Sequence, residues 1–220
     1  MAIRAVFFDI GETLIDETRI WSGWADWLGV PRLTFIGALG GIIERDEHHR
    51  RVFDLFREDF DLEREEKARI EAGVPNIIDP GDLYPDVLPC LQTLRSEGYA
   101  VGIAGNQPEG TEGILRAMGL PVDTIASSAR WGIEKPSPAF FAKIAGETSL
   151  SPSEIAYVGD RLDNDVLPAM AAGMIAVFLR RGPWGHIHAL RPEAAKAHLR
   201  LNTLLELPDA LRQYNGAGLC

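Results

Sequence analysis

Short, wholly apolar runs that stop abruptly at a polar residue or a glycine recur along the chain. The first, Ala5-Val6-Phe7-Phe8, ends at Asp9-Ile10-Gly11. Tyr99–Ala104, Ile155–Val158 and Ile175–Leu179 share this character, and Thr124–Ser127 is a weaker member of the series. A run without polar alternation reads as a strand buried on both faces, as in a parallel sheet covered by helices. Helical stretches fill the intervals. Asp86–Glu97 halts at Gly98, Glu109–Met118 at Gly119, and Asp163–Ala172 at Gly173, each a glycine stop. Ser137-Pro138 reads as an N-cap followed by proline in the first turn, opening a helix to about Ala145. Strand and helix alternating at this spacing predict an α/β fold, a doubly wound parallel sheet with right-handed crossovers.

Residues 16–82 break that rhythm, since no buried strand pattern occurs in them. Trp21, Trp24 and Leu28 fall at helical spacing, and Phe53, Phe56 and Phe60 recur within a dense charge pattern. Acids and bases alternate over residues 44–71 as on solvated helices. The segment reads as a small all-helical insertion whose exit is marked by Pro75 and Asp79-Pro80-Gly81. The expected organisation is therefore a core from residues 1–15 and 83–220 with a helical domain at 16–82. Pro192–Tyr214 reads as one or two further helices. The tryptophans at 21, 24 and 27 are expected to form the insertion's own core, and His48-His49 to be solvated.

Composition narrows the function classes. The chain has 220 residues, enough for one large core and one accessory module. The formal net charge of −10 and the lack of a Lys/Arg block argue against nucleic acid as a partner. No apolar run approaches the ~20 residues of a membrane span, and the opening stretch is too short and too soon charged for a secretory signal. Two cysteines, Cys90 and the terminal Cys220, make no disulfide framework, which suits a reduced, cytoplasmic protein.

Ligands of an open parallel sheet bind beyond the carboxyl ends of its strands, so the residues following each strand carry the chemistry. Asp9 follows the first, Gly105-Asn106 the second, Lys135-Pro136 the third, and Gly159-Asp160 the fourth, with Asp163 and Asp165 close behind. Carboxylates, an amide and a lysine converging on one edge suit a metal ion and a phosphate-like anion, and hard oxygen ligands favour Mg²⁺. Asp163 reads as a helix N-cap rather than a ligand.

Four segments resemble, in order and spacing, the motifs of the haloacid dehalogenase (HAD) superfamily. Phe7-Phe8-Asp9-Ile10-Gly11-Glu12-Thr13-Leu14 resembles the first motif, Val101–Asn106 the second, Lys135-Pro136 the third, and Val158-Gly159-Asp160-Arg161-Leu162-Asp163-Asn164-Asp165 the fourth. The resemblance covers about residues 5–180 and includes a helical cap inserted after the first motif. It implies a Rossmann-like core and a hydrolase in which Asp9 attacks phosphorus to form an aspartyl-phosphate. It further implies Mg²⁺ held by Asp9, the Gly11 carbonyl and Asp160, with Asp165 acting through water. Lys135 would neutralise charge, and backbone amides at Gly11–Glu12 and Gly105–Asn106 would cradle the phosphate.

Two positions depart from the family pattern. Gly11 stands where family phosphatases carry the aspartate that protonates the leaving group, and Gly105 where serine or threonine is usual. The expected function is Mg²⁺-dependent hydrolysis of a small phosphorylated metabolite. The alternative is a catalytically impaired member that binds a phosphorylated ligand or a protein. A third reading, phosphonate cleavage, would need Lys67 as an imine-forming lysine, because it is the one lysine in the insertion.

Overall fold

The computed structural model describes residues 2–217, so Cys220 lies outside the described residues. The chain divides into two compact units, Met1–Ile15 with Leu83–Cys220, and Asp16–Asp82.

The first unit is an α/β sheet structure. Its strands are β1 (Ala5–Phe8), β2 (Ala100–Gly105), β3 (Thr124–Ser127), β4 (Ile155–Gly159), β5 (Ile175–Leu179) and β6 (Leu199–Leu201). They lie in the order β3-β2-β1-β4-β5-β6, and every pairing is parallel. Phe8 pairs with Ile103 on one side and Val158 on the other, so β1 lies where the strand order reverses. That reversal leaves a crevice at the carboxyl edge between β1 and β4. All four residues of β1 and all five of β4 and β5 are buried, as two-sided coverage requires.

The helix Pro138–Thr148 contributes Phe140, Phe141 and Ile144 to the core, where Phe7, Tyr157 and Phe178 are also fully enclosed. Phe141 meets the Tyr157 ring edge-on, with centroids 5.2 Å apart. Each such side chain removed from water stabilises the fold by roughly 1.5–3 kcal/mol. Among the described residues no helix is long and apolar enough to cross a membrane.

Two stretches differ from the pattern-based expectation. The helix expected at Asp163–Ala172 begins as a π-helical turn, Leu162–Val166, and continues as a short α-helix, Leu167–Ala171. Asp163 is not its N-cap, because its carboxylate is gripped by the Arg161 guanidinium at 3.1 and 2.5 Å. The tail holds an edge strand, β6, besides its helical turns and the helix Leu207–Ala217. Three residues with a central arginine carry too little periodicity to announce a strand.

The second unit is built from α1 (Thr18–Leu28), α2 (Arg32–Glu44), α3 (Arg51–Asp54) and α4 (Leu62–Glu71). Gly29 ends α1 in a left-handed conformation at φ 70°, and the Asp61 carboxylate caps α4 by accepting the Arg64 amide at 3.1 Å. Trp21, Trp24, Phe35 and Phe53 are buried together, and Phe53 stacks on Phe60 at 4.2 Å, so the first two tryptophans are core residues. His48 is exposed and stacks on its neighbour His49.

The charge pattern over 44–71 is not wholly solvated. Glu65 and Arg69, four apart and therefore on one face of α4, are both buried. Glu65 accepts from Trp27 Nε1 at 2.8 Å, Arg57 at 2.6 Å and Arg64 at 3.2 Å. These side-chain partners make the burial of Glu65 tolerable.

Candidate active site

The crevice at the carboxyl edge is lined by charged groups that the sheet brings together from distant parts of the sequence. Asp9 directly follows β1, and its amide donates to Val158 O of β4 at 2.9 Å, which holds the residue at the strand junction. Lys135, reached after β3, is buried with Nζ 2.6 Å from Asp9 Oδ1 and 2.6 Å from Asp165 Oδ1. The π-helical turn after β4 turns Asp165 inward, where its other oxygen accepts the Arg161 amide at 3.0 Å. Asp9, Asp160 and Asp165 each offer an oxygen within 4.8 Å of the other two.

Charge does not balance in this cluster. Three carboxylates cluster around one ammonium that bonds only Asp9 and Asp165, which leaves two negative charges unmatched when all are ionised. Asp160 Oδ2 is buried with no hydrogen-bond partner, and Oδ1 has a long 3.5 Å contact from the Thr13 hydroxyl. Burial raises the Asp160 pKa well above the usual carboxylate range, and Asp165, Asp9 and Glu12 push it further. Burial likewise raises Asp165 to about 6 against the opposing pull of Lys135. Burial alone would lower Lys135, but Asp165 and Asp9 outweigh it and hold its pKa above the ordinary lysine value. A buried carboxylate oxygen without a donor costs free energy unless a proton or a cation meets it. The donor set is all hard oxygen, so the residues present fit a divalent cation such as Mg²⁺.

Two glycines make the arrangement sterically possible. A Cβ on Gly105 would stand 2.6 Å from Asp9 Oδ1, and one on Gly159 would stand 2.4 Å from Asp165 Cγ. Gly105 is therefore more than a lost hydroxyl: with these backbone and side-chain positions, serine or threonine would force Asp9 to move.

The remaining residues singled out by sequence take varied positions. Asn106 uses its side chain to hold Lys135, donating to Lys135 O and accepting from Lys135 N, both at 2.8 Å. Gly11 joins a bridge to Ile15. Glu12 adopts φ 53° and gives its amide to Ile15 O at 2.8 Å, so that amide is not free for a phosphate oxygen. The Glu12 carboxylate is buried and accepts from the Tyr84 hydroxyl at 2.7 Å. His188 is buried, and its Nδ1 accepts the Leu162 amide at 3.0 Å, a structural bond behind the acidic loop.

Sequence reasoning passed over Tyr157, Thr13 and Tyr84. The Tyr157 hydroxyl donates to Ala104 O at 2.7 Å, and its ring lies under Lys135 Nζ at 5.5 Å. Thr13 lay within the first motif and was open to notice. Tyr157 and Tyr84 carried no signal, because each acts through a contact far away in the chain.

An open parallel sheet with carboxylates and a lysine at its switch point defines a class, the α/β proteins that handle anions at the strand carboxyl ends. The chain belongs to the haloacid dehalogenase-like hydrolases, whose family pattern matches residues 3–173. It is 34% identical over 203 residues to a glyceraldehyde 3-phosphate phosphatase of Methanopyrus kandleri, covering 83% of this chain and 86% of that protein. It is 33% identical over 112 residues to a phosphoglycolate phosphatase of Pasteurella multocida, about half of each chain. It also resembles the crystal structure of a HAD phosphatase from Thermococcus onnurineus, with TM-score 0.60 and 26% identity over 95% of this chain and 98% of the other. The core is thus a HAD-type hydrolase fold, and the three relatives just described are phosphatases.

Proposed function

We propose that this chain hydrolyses a small phosphorylated metabolite, using Asp9 as the nucleophile and a divalent cation, Mg²⁺ by its donor set. The observation that carries the reading is the surplus of buried carboxylate at the switch point, above all the Asp160 oxygen that lacks a donor. Asp9, Asp160 and the Gly11 carbonyl would hold the cation, with Asp165 behind them. When bound, Mg²⁺ would neutralise charge on the phosphoryl oxygens and on the carboxylates around it.

Asp9 Oδ1 forms the bond to phosphorus as the ester oxygen leaves, and water then releases phosphate from the acyl-phosphate. Lys135, fixed by Asn106 through its backbone and by Asp165 through its ammonium, orients Asp9 and offsets charge beside it. No side chain at Gly11 is present to protonate the leaving oxygen. The Glu12 carboxylate, held by Tyr84, lies on the neighbouring residue. Turnover on this reading depends steeply on leaving-group basicity. The relatives' names point to short phosphorylated carbon chains of the size of glyceraldehyde 3-phosphate or phosphoglycolate as substrates.

Phosphate release from these two esters and from an aryl phosphate, with Mg²⁺ and with chelator, tests the proposal. Metal-dependent release that disappears in Asp9→Asn is the expected result, and no metal-dependent release from any ester in a broad panel overturns it. Gly11 supports a second reading, a member that binds a phosphorylated ligand without turning it over. That reading predicts saturable binding with no release, and activity gained in Gly11→Asp. Phosphonate cleavage finds no support at Lys67, which is exposed on α4.

A further inference from the structure

The helical unit Asp16–Asp82 contains a cavity of about 620 Å³, and every residue lining it belongs to that unit. Three arginines reach it. Arg19 is spent on Asp82, with bonds of 2.8 and 2.5 Å, and Arg32 is spent on Asp26 at 2.9 and 2.6 Å. Arg69 is different. It is only 4% exposed, and among the described residues no carboxylate bonds its guanidinium. Its Nε donates to Val74 O at 3.1 Å, and its plane lies over the Trp24 ring, 4.4 Å from the centroid. One terminal nitrogen rests 2.9 Å from where a Cβ on Gly23 would stand, so the glycine makes room for it. The other, Nη1, is buried without any hydrogen-bond partner. Burial lowers the Arg69 pKa, with Glu66 and Asp26 opposing from a distance. A guanidinium nevertheless stays charged in a protein, so it retains a demand for an anion.

We propose that this cavity binds a small metabolite through an oxyanion, a carboxylate or a phosphate, received by the Arg69 guanidinium. The planar fork of arginine matches either oxyanion, and the volume falls within the range of small-molecule sites. Ser22, which is buried, and Asn76 also line the cavity and offer neutral polar groups for the rest of the ligand. The cavity shares no residue with the Asp9 cluster, and the inference stands whether or not Asp9 is a nucleophile.

Calorimetric titration of the full-length Asp9→Asn protein in chelator removes metal-dependent binding at the other cluster. Inorganic phosphate is the probe in one arm and malonate in the other, so the arms distinguish phosphate from carboxylate ligands. Saturable binding of at least one probe is expected, with a change in tryptophan emission through Trp24. Arg69→Met is expected to weaken it about tenfold or more, and Arg69→Lys to restore part of it. Absence of saturable binding in both arms, or equal affinity in Arg69→Met, overturns the proposal and leaves Arg69 as a pillar on Trp24. If the Arg69 variants fail to fold, selenate soaked into crystals of the Asp9→Asn protein decides the matter. An anomalous peak in the cavity within hydrogen-bond reach of the Arg69 guanidinium supports the site, and none there refutes it.

Discussion

The sheet unit and the helical unit each bury a charged atom that nothing meets, and the two atoms have opposite sign. In the sheet unit it is Asp160 Oδ2, beside Asp9 and Asp165, which share Lys135 between them. In the helical unit it is Arg69 Nη1, beside arginines already paired. Two other buried charges in these units are met by several partners each. Glu112 collects the Ser127 amide and hydroxyl together with Arg116 and Arg130, and Glu65 collects Trp27, Arg57 and Arg64. Asp86 leaves one oxygen bare, yet the other takes Arg181, the Thr203 hydroxyl and the Leu204 amide. The contrast separates two uses of buried charge. On the two readings proposed above, a matched cluster holds elements together, whereas the Asp160 and Arg69 sites would hold a place for a ligand of the opposite sign, at a cost in stability until that ligand arrives.

The sharpest break of this contrast is at the nucleophile. Asp9→Asn should lower metal-dependent phosphate release by about 10⁴-fold or more while the protein stays folded, as read by steady-state kinetics beside circular dichroism. Gly11→Asp comes next. It supplies the missing proton donor and should raise turnover of alkyl phosphates by about 10²-fold, with a smaller gain for aryl phosphates, whose leaving groups need little help. A ratio that does not change between ester types would show that proton donation is not what Gly11 lacks.

A third pair applies one chemical change to both kinds of cluster. Asp160→Asn should weaken Mg²⁺ binding at least about tenfold, yet raise the melting temperature in chelator by about 2–4 °C, because it removes a surplus buried charge. Glu112→Gln should lower the melting temperature by a similar amount, since two arginines lose their anion. Calorimetric melts of the two variants with the same sign would erase the distinction between matched and unmatched clusters.

The smallest effect is acid sensitivity. Burial pushes the Glu112 pKa up, but Ser127, Arg116 and Arg130 outweigh it and hold the value below the ordinary 4.5. A carboxylate depressed on folding contributes stability above 4.5 that is lost as pH falls through its folded value. The gap in melting temperature between the native protein and Glu112→Gln should therefore be constant at neutral pH and close below about pH 4.5. A gap that persists at lower pH would mean that Glu112 acts through shape rather than charge.

Much of the sheet unit was legible before any coordinates. Four two-sided strands announce themselves as unbroken apolar runs, and Asp9, Lys135, Asp160 and Asp165 are named by their place after strand ends. The structure brings those four side chains together. The meaning of Gly105 was not legible. Its sequence context suggests a missing hydroxyl, while the fold shows space reserved for Asp9 Oδ1. Asn106 looked like a phosphate contact, yet its side chain serves the Lys135 backbone. In the helical unit the aromatic spacing told of a core, but the alternating charges read as solvent-facing, and the burial of Glu65 and Arg69 escaped notice. β6 escaped it too, as a short edge strand needs only one buried residue.

The sequence by itself determined the order of strands and helices, the interruption at residues 16–82, and which residue types stand at each strand end. Those features are local, fixed by periodicity, caps and stops that neighbours in the chain impose on one another. Only the tertiary structure decided the strand order that sets β1 against β4, the sharing of one ammonium by Asp9 and Asp165, and the isolation of Asp160 Oδ2 and Arg69 Nη1. Whether a buried charge is met depends on which groups the fold brings beside it, near or far in the chain, because Coulomb energy and desolvation are settled by distance in space rather than by position along the chain.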